Sequence, residues 1–349
     1  MGHKTIVWDN IGNVLTGVRE WDEWPPYIQR QLLAEDPRAK EHARSLREMF
    51  ADDPLDIYRA KTLADVEGAI EDAEFLVVHK ETLPAKTLMR AKHLKLLQHL
   101  GLDYRGLPVD TAKRLGIPVA AAPLVNYLAV AEHAWAMILN YLKKLDKQQL
   151  HIQRRAYFET WGTFPGILLA RDLTLGLVGL GEIGRPMARI ARSLEMKVVY
   201  WDRARFPEWE QQYQLDYVDW ETLFRQSDVV SLHLPIKPET EKIVGSREIQ
   251  WMKEKALLVN TARGRLVDPD ALRKAVTSRQ IGGVALDVFW DEPLPADDEW
   301  HRLHEDETLC VTLTPHSAWQ SPWTWVRDSQ AIWNDVRRVL NGELPLYAV

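Results

Sequence analysis

Leu173-Thr174-Leu175-Gly176-Leu177-Val178-Gly179-Leu180-Gly181-Glu182-Ile183-Gly184 is the most informative stretch of the chain. Its first six residues form an apolar run of strand length, and residues 183–194 carry apolar side chains at helical spacing. The glycines between them fall as G-x-G-x-x-G. That pattern is weak alone, but a strand before it and a helix after it make it a dinucleotide fingerprint. Gly179 then permits the tight turn, Gly181 lets backbone approach a pyrophosphate, and Gly184 lets helix and strand pack closely. The helix start offers unpaired N–H groups and the positive end of its dipole to the phosphates.

Asp202 follows 18 residues after Gly184, at the end of a strand predicted over 197–201. An acidic side chain there can accept hydrogen bonds from the adenosine ribose, and it repels a 2′-phosphate. NAD is therefore expected rather than NADP. Arg203 and Arg205 are the opposing signal, since either could meet a phosphate.

Around this unit, short apolar runs alternate with helical patterns. Strands are predicted at 4–8, 74–78, 94–98 and 117–120, and again at 173–178, 197–201, 228–232, 256–259, 281–286 and 308–313. Helices are predicted at 39–50, from near Asn126, at 183–194, at 269–278 and at about 322–340. Strands spaced by helices imply βαβ units and parallel sheets. The fold class expected is α/β, with two doubly wound parallel-sheet domains. By its own residues the last helix could belong to either.

Composition agrees. A chain of 349 residues suggests about two domains. With 46% hydrophobic and 27% charged residues it is neither disordered, nor collagen-like, nor a small disulfide scaffold. Forty-four basic against 50 acidic residues leave −6, which gives no general pull toward nucleic acid or anionic membrane. One cysteine, Cys310, excludes an intramolecular disulfide and a cysteine-based zinc site. No metal motif is present. A cytoplasmic setting is expected, and the polar N-terminus running straight into a predicted strand does not read as a signal peptide. The apolar stretch 117–139 contains Glu132 and His133, each costing roughly 2.5–3.5 kcal/mol at bilayer depth, so a buried helix is expected there. Fifteen tryptophans serve either as core filler or as pocket lining.

Three later segments stand at predicted strand ends, where ligands of open α/β sheets bind: Asn260-Thr261-Ala262-Arg263-Gly264, Leu286-Asp287-Val288-Phe289-Trp290-Asp291-Glu292-Pro293, and Thr314-Pro315-His316-Ser317-Ala318-Trp319. Hydride transfer to a ketone needs the carbonyl polarised and then protonated. Arginine suits the first task, and its planar fork also holds a carboxylate. Histidine titrates near neutrality and suits the second. A carboxylate beside it orients the ring and favours its protonated form. Arg263, His316 and Glu292 are one of each.

With these residues the chain resembles the D-isomer-specific 2-hydroxyacid dehydrogenase family, from roughly Leu94 to the last helix. Ser231-Leu232-His233-Leu234-Pro235, residues 258–264 with Leu266-Val267-Asp268, residues 285–293 and residues 313–316 carry the likeness beside the glycine motif. The resemblance implies Arg263 as substrate anchor, His316 as general acid/base and Glu292 as its partner. It implies a cofactor site of Gly179, Gly181, Glu182, Ile183, Gly184, Asp202, His233, Leu234, Pro235, Thr261, Ala262, Arg263, Asp287 and His316. Asp287 would lie toward the nicotinamide. It further implies a discontinuous substrate domain, residues 1–125 with 317–349, an NAD-binding domain over 126–316, and an active site in the cleft between them. A small 2-oxoacid or 2-hydroxyacid substrate and a homodimer through the cofactor domain follow, with no nucleic-acid or membrane partner. The alternatives are a non-catalytic NADH sensor of the corepressor type and a phosphite-type relative. Formate chemistry is disfavoured, because the formate enzymes carry Gln at the Glu292 position.

The chain departs from the family in its first domain. Gly101-Leu102-Asp103-Tyr104-Arg105-Gly106-Leu107-Pro108 keeps only the first glycine of the usual substrate loop, and Leu124 replaces a usual glycine. Backbone at Leu100 and Gly101 is still expected to bind substrate carboxylate, whereas Asp103 and Arg105 could simply pair. His79 and Lys80 stand where Arg-Ser is usual and could take an extra acidic group. Trp290 and Trp319 could wall the pocket. The insertion Trp21-Asp22-Glu23-Trp24-Pro25-Pro26 has no family counterpart.

Overall fold

The computed structural model describes residues 2–8, 21–24, 26–35, 39–79, 81–101, 104, 106–122, 126–156, 162 and 164–349. The chain divides into two compact units, Met1–Asn126 with Ser321–Val349, and Tyr127–Gln320.

The first unit holds β1 (His3–Trp8), β2 (Leu55–Ala60), β3 (Phe75–Val78), β4 (Leu96–Leu100) and β5 (Val119–Ala122), all parallel, in the order β2-β1-β3-β4-β5. Every residue of β3, β4 and β5 is buried, the signature of strands covered on both faces. One face carries Ile6, Trp8, Leu76, Val78 and Leu97; the other carries Val7, Phe75, Val77 and Leu96 against Ile332, Trp333 and Val336 of the Pro322–Leu340 helix. Beyond that helix, Ala121 N–H donates to the Tyr347 carbonyl and Val349 N–H to the Val119 carbonyl, so the last residues cover the free edge of β5.

The second unit holds β6 (Thr174–Val178), β7 (Lys197–Trp201), β8 (Asp216–Tyr217), β9 (Val229–Leu232), β10 (Leu257–Asn260), β11 (Gly283–Leu286) and β12 (Val311–Leu313). All pairs are parallel, in the order β12-β11-β10-β9-β6-β7-β8. The order reverses between β6 and β9, the point at which doubly wound sheets bind ligands beyond the strand ends. The Asn126–Lys143 helix buries Ala131, Ala134, Trp135, Ile138 and Leu142 against this sheet's core. No helix among the described residues is long and apolar enough to cross a membrane.

Two strands escape the sequence pattern. β2 alternates half-buried with exposed residues at a sheet edge, and β8 has only two residues. β4 and β5 begin two residues later than their apolar runs. Leu94 and Ile117 are buried without belonging to the ladder, and burial without pairing looks the same in sequence. Trp24, Trp300 and Trp333 are almost wholly buried, as core filler would be.

Candidate active site

At the end of β6 the chain turns through Gly179 with φ +102°, where a Cβ would lie 2.7 Å from the His233 carbonyl oxygen. His233-Leu234-Pro235 follows β9, so the glycine turn and this segment touch across the switch point. At Gly184, where the helix Gly184–Ser193 begins, a Cβ would come 2.2 Å from the Gly179 carbonyl oxygen. Gly181 differs, since a Cβ there meets nothing within 4 Å. Glu182 beside it is exposed and Ile183 half-buried. Asp202, just past β7, accepts from Leu180 N–H at 2.9 Å and from Arg203 N–H at 2.6 Å, which ties it to the glycine loop.

This arrangement fits a dinucleotide. A tight turn, an open glycine and a carboxylate on the neighbouring strand stand together at the start of a helix. Gly181→Val is expected to leave the melting temperature unchanged, because the new side chain enters open space. NADH should bind about tenfold or more weakly in a fluorescence titration, the loss of one hydrogen bond to a charged group.

Just past β9 and β10, two polar atoms are shut off from solvent without a hydrogen-bond partner: His233 Nδ1 and Thr261 Oγ1. His233 Nε2 lies 3.0 Å from Ser231 Oγ. Burial pushes the His233 imidazole down to about 3. The unfolded chain takes up a proton near pH 6.5 that the folded chain refuses, so this residue's contribution is present above pH 6.5 and is lost as pH falls toward 3. Between pH 7.5 and 5 the wild type should lose about 2 kcal/mol more stability than His233→Gln in urea unfolding. Equal losses in the two proteins contradict a buried neutral ring.

The three chemically promising segments follow β10, β11 and β12. Asn260, the last residue of β10, donates through Nδ2 to the Arg263 carbonyl at 2.9 Å and accepts from Ala262 N–H at 3.1 Å. A Cβ on Gly264 would lie 2.1 Å from the Phe289 carbonyl oxygen, so the Arg263 turn rests directly on the segment that leads to Glu292. Glu292 Oε1 accepts from Phe289 N–H at 2.9 Å, and its Oε2 lies 2.7 Å from His316 Nδ1. Both side chains are more than a third exposed, at 40% for His316 and 36% for Glu292, so the pair is open to a reactant.

His316 has φ +53°, a left-handed conformation that costs a non-glycine residue about 1–3 kcal/mol and persists only where its surroundings enforce it. Asp287, fully buried, supplies that enforcement. Its Oδ1 accepts from Ser317 N–H at 2.9 Å and from Thr314 Oγ1 at 2.5 Å, and its Oδ2 from Ala318 N–H at 2.9 Å. The Thr314 hydroxyl spends its proton on Asp287, so His133 Nε2, 2.9 Å from Thr314 Oγ1, is the donor in that contact. Trp319 Nε1 donates to the His316 carbonyl at 2.9 Å. Asp287 thus clamps the turn that presents His316. In the sequence His133 stands out only as an ionisable residue of the apolar stretch 117–139, and no local pattern ties it to Thr314. Trp290 stacks on Trp300 with ring centroids 5.8 Å apart and donates to the Val267 carbonyl, which makes it part of the core rim.

Of the remaining candidates, Leu234 and Pro235 continue the β9 segment, with Leu234 half-buried and Pro235 exposed. Ala262 is buried beside Arg263. In the first unit, His79 follows β3 and Leu100 ends β4. Both are buried, and Gly101 follows at φ +100°. Lys80 lies outside the described residues, as do Leu102, Asp103, Arg105 and Leu124.

Residues 135–318 match the family model described as D-isomer specific 2-hydroxyacid dehydrogenase, NAD binding domain. The glyoxylate reductase of Korarchaeum cryptofilum (strain OPF8) is 32% identical over 280 residues, covering 79% of this chain and 82% of that protein. The D-lactate dehydrogenase of Aquifex aeolicus, solved with NAD and lactic acid, is 25% identical with a TM-score of 0.66, over 98% of this chain and 96% of that one. The NAD-complexed D-isomer specific 2-hydroxyacid dehydrogenase of Lactobacillus delbrueckii ssp. bulgaricus is 23% identical with a TM-score of 0.70, over 99% of both chains. The chain belongs to the D-isomer-specific 2-hydroxyacid dehydrogenase family. It is an NAD-dependent oxidoreductase of that class.

Proposed function

We propose that the protein interconverts a small 2-oxoacid and the corresponding D-2-hydroxyacid, with glyoxylate or hydroxypyruvate as the first substrates to test. The observation that carries this reading is the 2.7 Å His316–Glu292 pair beside the Arg263 turn, at the carboxyl ends of consecutive parallel strands. Similarity to glyoxylate reductases supports the choice of substrate.

In this reading the Arg263 fork holds the substrate carboxylate and polarises its carbonyl. With Nδ1 committed to Glu292, His316 exchanges its proton through Nε2, giving it to the carbonyl oxygen in reduction and taking it back in oxidation. Glu292 fixes the tautomer and the orientation of the ring. Asp202, Thr261, His233 and the glycine turn hold the dinucleotide, whose nicotinamide supplies or accepts the hydride when bound. A homodimer is part of the proposal: Leu145, Ile152, Ile167 and Leu169 are exposed apolar side chains on the cofactor unit, and sedimentation velocity reads the mass directly. So is a cytoplasmic location, supported by a single unpaired cysteine and readable by cell fractionation.

The test is NADH oxidation, followed at the nicotinamide absorbance, across 2-oxoacids graded by size and charge. Turnover of glyoxylate or hydroxypyruvate supports the reading, and a preference for acidic substrates implicates His79 and Lys80. Silence across the panel with NADH still bound overturns it in favour of a phosphite-type enzyme or a sensor.

A further inference from the structure

Arg205 stands three residues beyond Asp202, close enough in sequence to answer a 2′-phosphate on the adenosine ribose. Its guanidinium is already engaged. Nε and Nη2 meet the two oxygens of Glu210 at 3.2 and 2.5 Å, and the planar group lies 5.4 Å from the centroid of the Tyr217 ring. Glu210 is no casual surface partner. Its side chain is only 14% exposed, and Oε1 also accepts from the Tyr200 hydroxyl at 2.7 Å. That hydroxyl accepts in turn from Phe206 N–H at 2.8 Å, and Tyr217 donates to the Asp202 carbonyl at 3.3 Å. The hydrogen bonds from Arg205 and Tyr200 hold the Glu210 carboxyl below its ordinary range. The same residues that shape the turn after Asp202 therefore hold the exposed Arg205 in a bidentate grip on the half-buried Glu210 carboxylate, which fixes the orientation of the guanidinium.

We propose that Glu210 is a determinant of cofactor choice, holding Arg205 on Tyr217 so that its guanidinium does not offset the repulsion between Asp202 and a 2′-phosphate. This rests on reading Asp202 as the ribose acceptor. Two layers of selection then act against NADPH: a carboxylate that repels the phosphate, and a second carboxylate that engages one of the two arginines following it in sequence. Arg203, whose backbone N–H donates to Asp202, is outside this grip.

The experiment measures equilibrium dissociation constants of NADH and NADPH by fluorescence titration, without substrate. Glu210→Gln keeps the shape and the acceptor for Tyr200 but releases Arg205. It should tighten NADPH about tenfold, one charge-assisted hydrogen bond, and leave NADH within about twofold. Glu208→Gln removes the same charge from the same exposed helix and should give no gain. Arg205→Ala combined with Glu210→Gln should lose the gain. Asp202→Asn tests the underlying reading separately and should narrow the NADH preference by itself. An unchanged preference in Asp202→Asn overturns the ribose assignment and the proposal together. A narrowed preference there with Glu210→Gln flat, or with Glu208→Gln giving the same gain, overturns the proposal alone.

Discussion

Arg263→Ala is expected to lower kcat/KM for 2-oxoacid reduction by about three orders of magnitude, because one side chain both anchors the carboxylate and stabilises the charge developing on the carbonyl oxygen. The turn should survive the change. Its backbone is held by Asn260 and by the contact of Gly264 with Phe289, neither of which uses the arginine side chain. NADH should therefore still bind, and unfolding should stay cooperative. Arg263→Lys keeps the charge but loses the planar fork, and it should recover little of the rate. Steady-state kinetics with a fluorescence titration of NADH separates the two effects. Activity within tenfold of wild type in the alanine variant would show that the carboxylate is anchored elsewhere.

The second large effect is expected at the acid/base. His316→Ala should lower kcat by about 10²–10⁴-fold, the usual span for removal of a positioned general acid. Glu292→Gln should cost about 10–100-fold, because it leaves the ring in place but removes the charge that orients it. If Glu292 acts only through His316, the double variant is no slower than His316→Ala, as expected for residues that work as a unit. Additive losses would give Glu292 a direct role of its own.

Much of this architecture is readable in the amino-acid order. Apolar runs bounded by helices announce parallel sheets, because a strand buried on both faces has nothing polar to alternate with. Leu175, Leu177 and Val178 read that way, and so do Leu257, Leu258 and Val259. The glycine turn is equally plain, since Gly179 and Gly184 answer local steric demands that the structure puts numbers on, while Gly181 leaves open space. What stays hidden depends on contacts between distant residues. The hold of Asp287 on Ser317 and Ala318 spans about thirty positions, and the link from His133 to Thr314 spans 181. No periodicity encodes either. Asp287 shows why a role is harder to read than a position. The family resemblance implies a position toward the nicotinamide, and the structure adds a hold on the turn that presents His316. Edge strands fail for a different reason. Leu55–Ala60 has one neighbour and half-exposed side chains, so its pattern is diluted by charge.

The path of the chain through its two units carries a consequence for biosynthesis. Tyr127–Gln320 is contiguous, so every strand of the nucleotide-binding sheet has been made before Ser321 is added. The other unit is begun first and finished last, since Ile332, Trp333 and Val336 fill its core and Tyr347 and Val349 seal the β5 edge. On the ribosome the later-encoded domain can fold while the earlier one waits with an uncovered sheet face and an unpaired strand edge. Synthesis of residues 321–349 is therefore the step at which the first sheet gains its second covering face and its sealed edge.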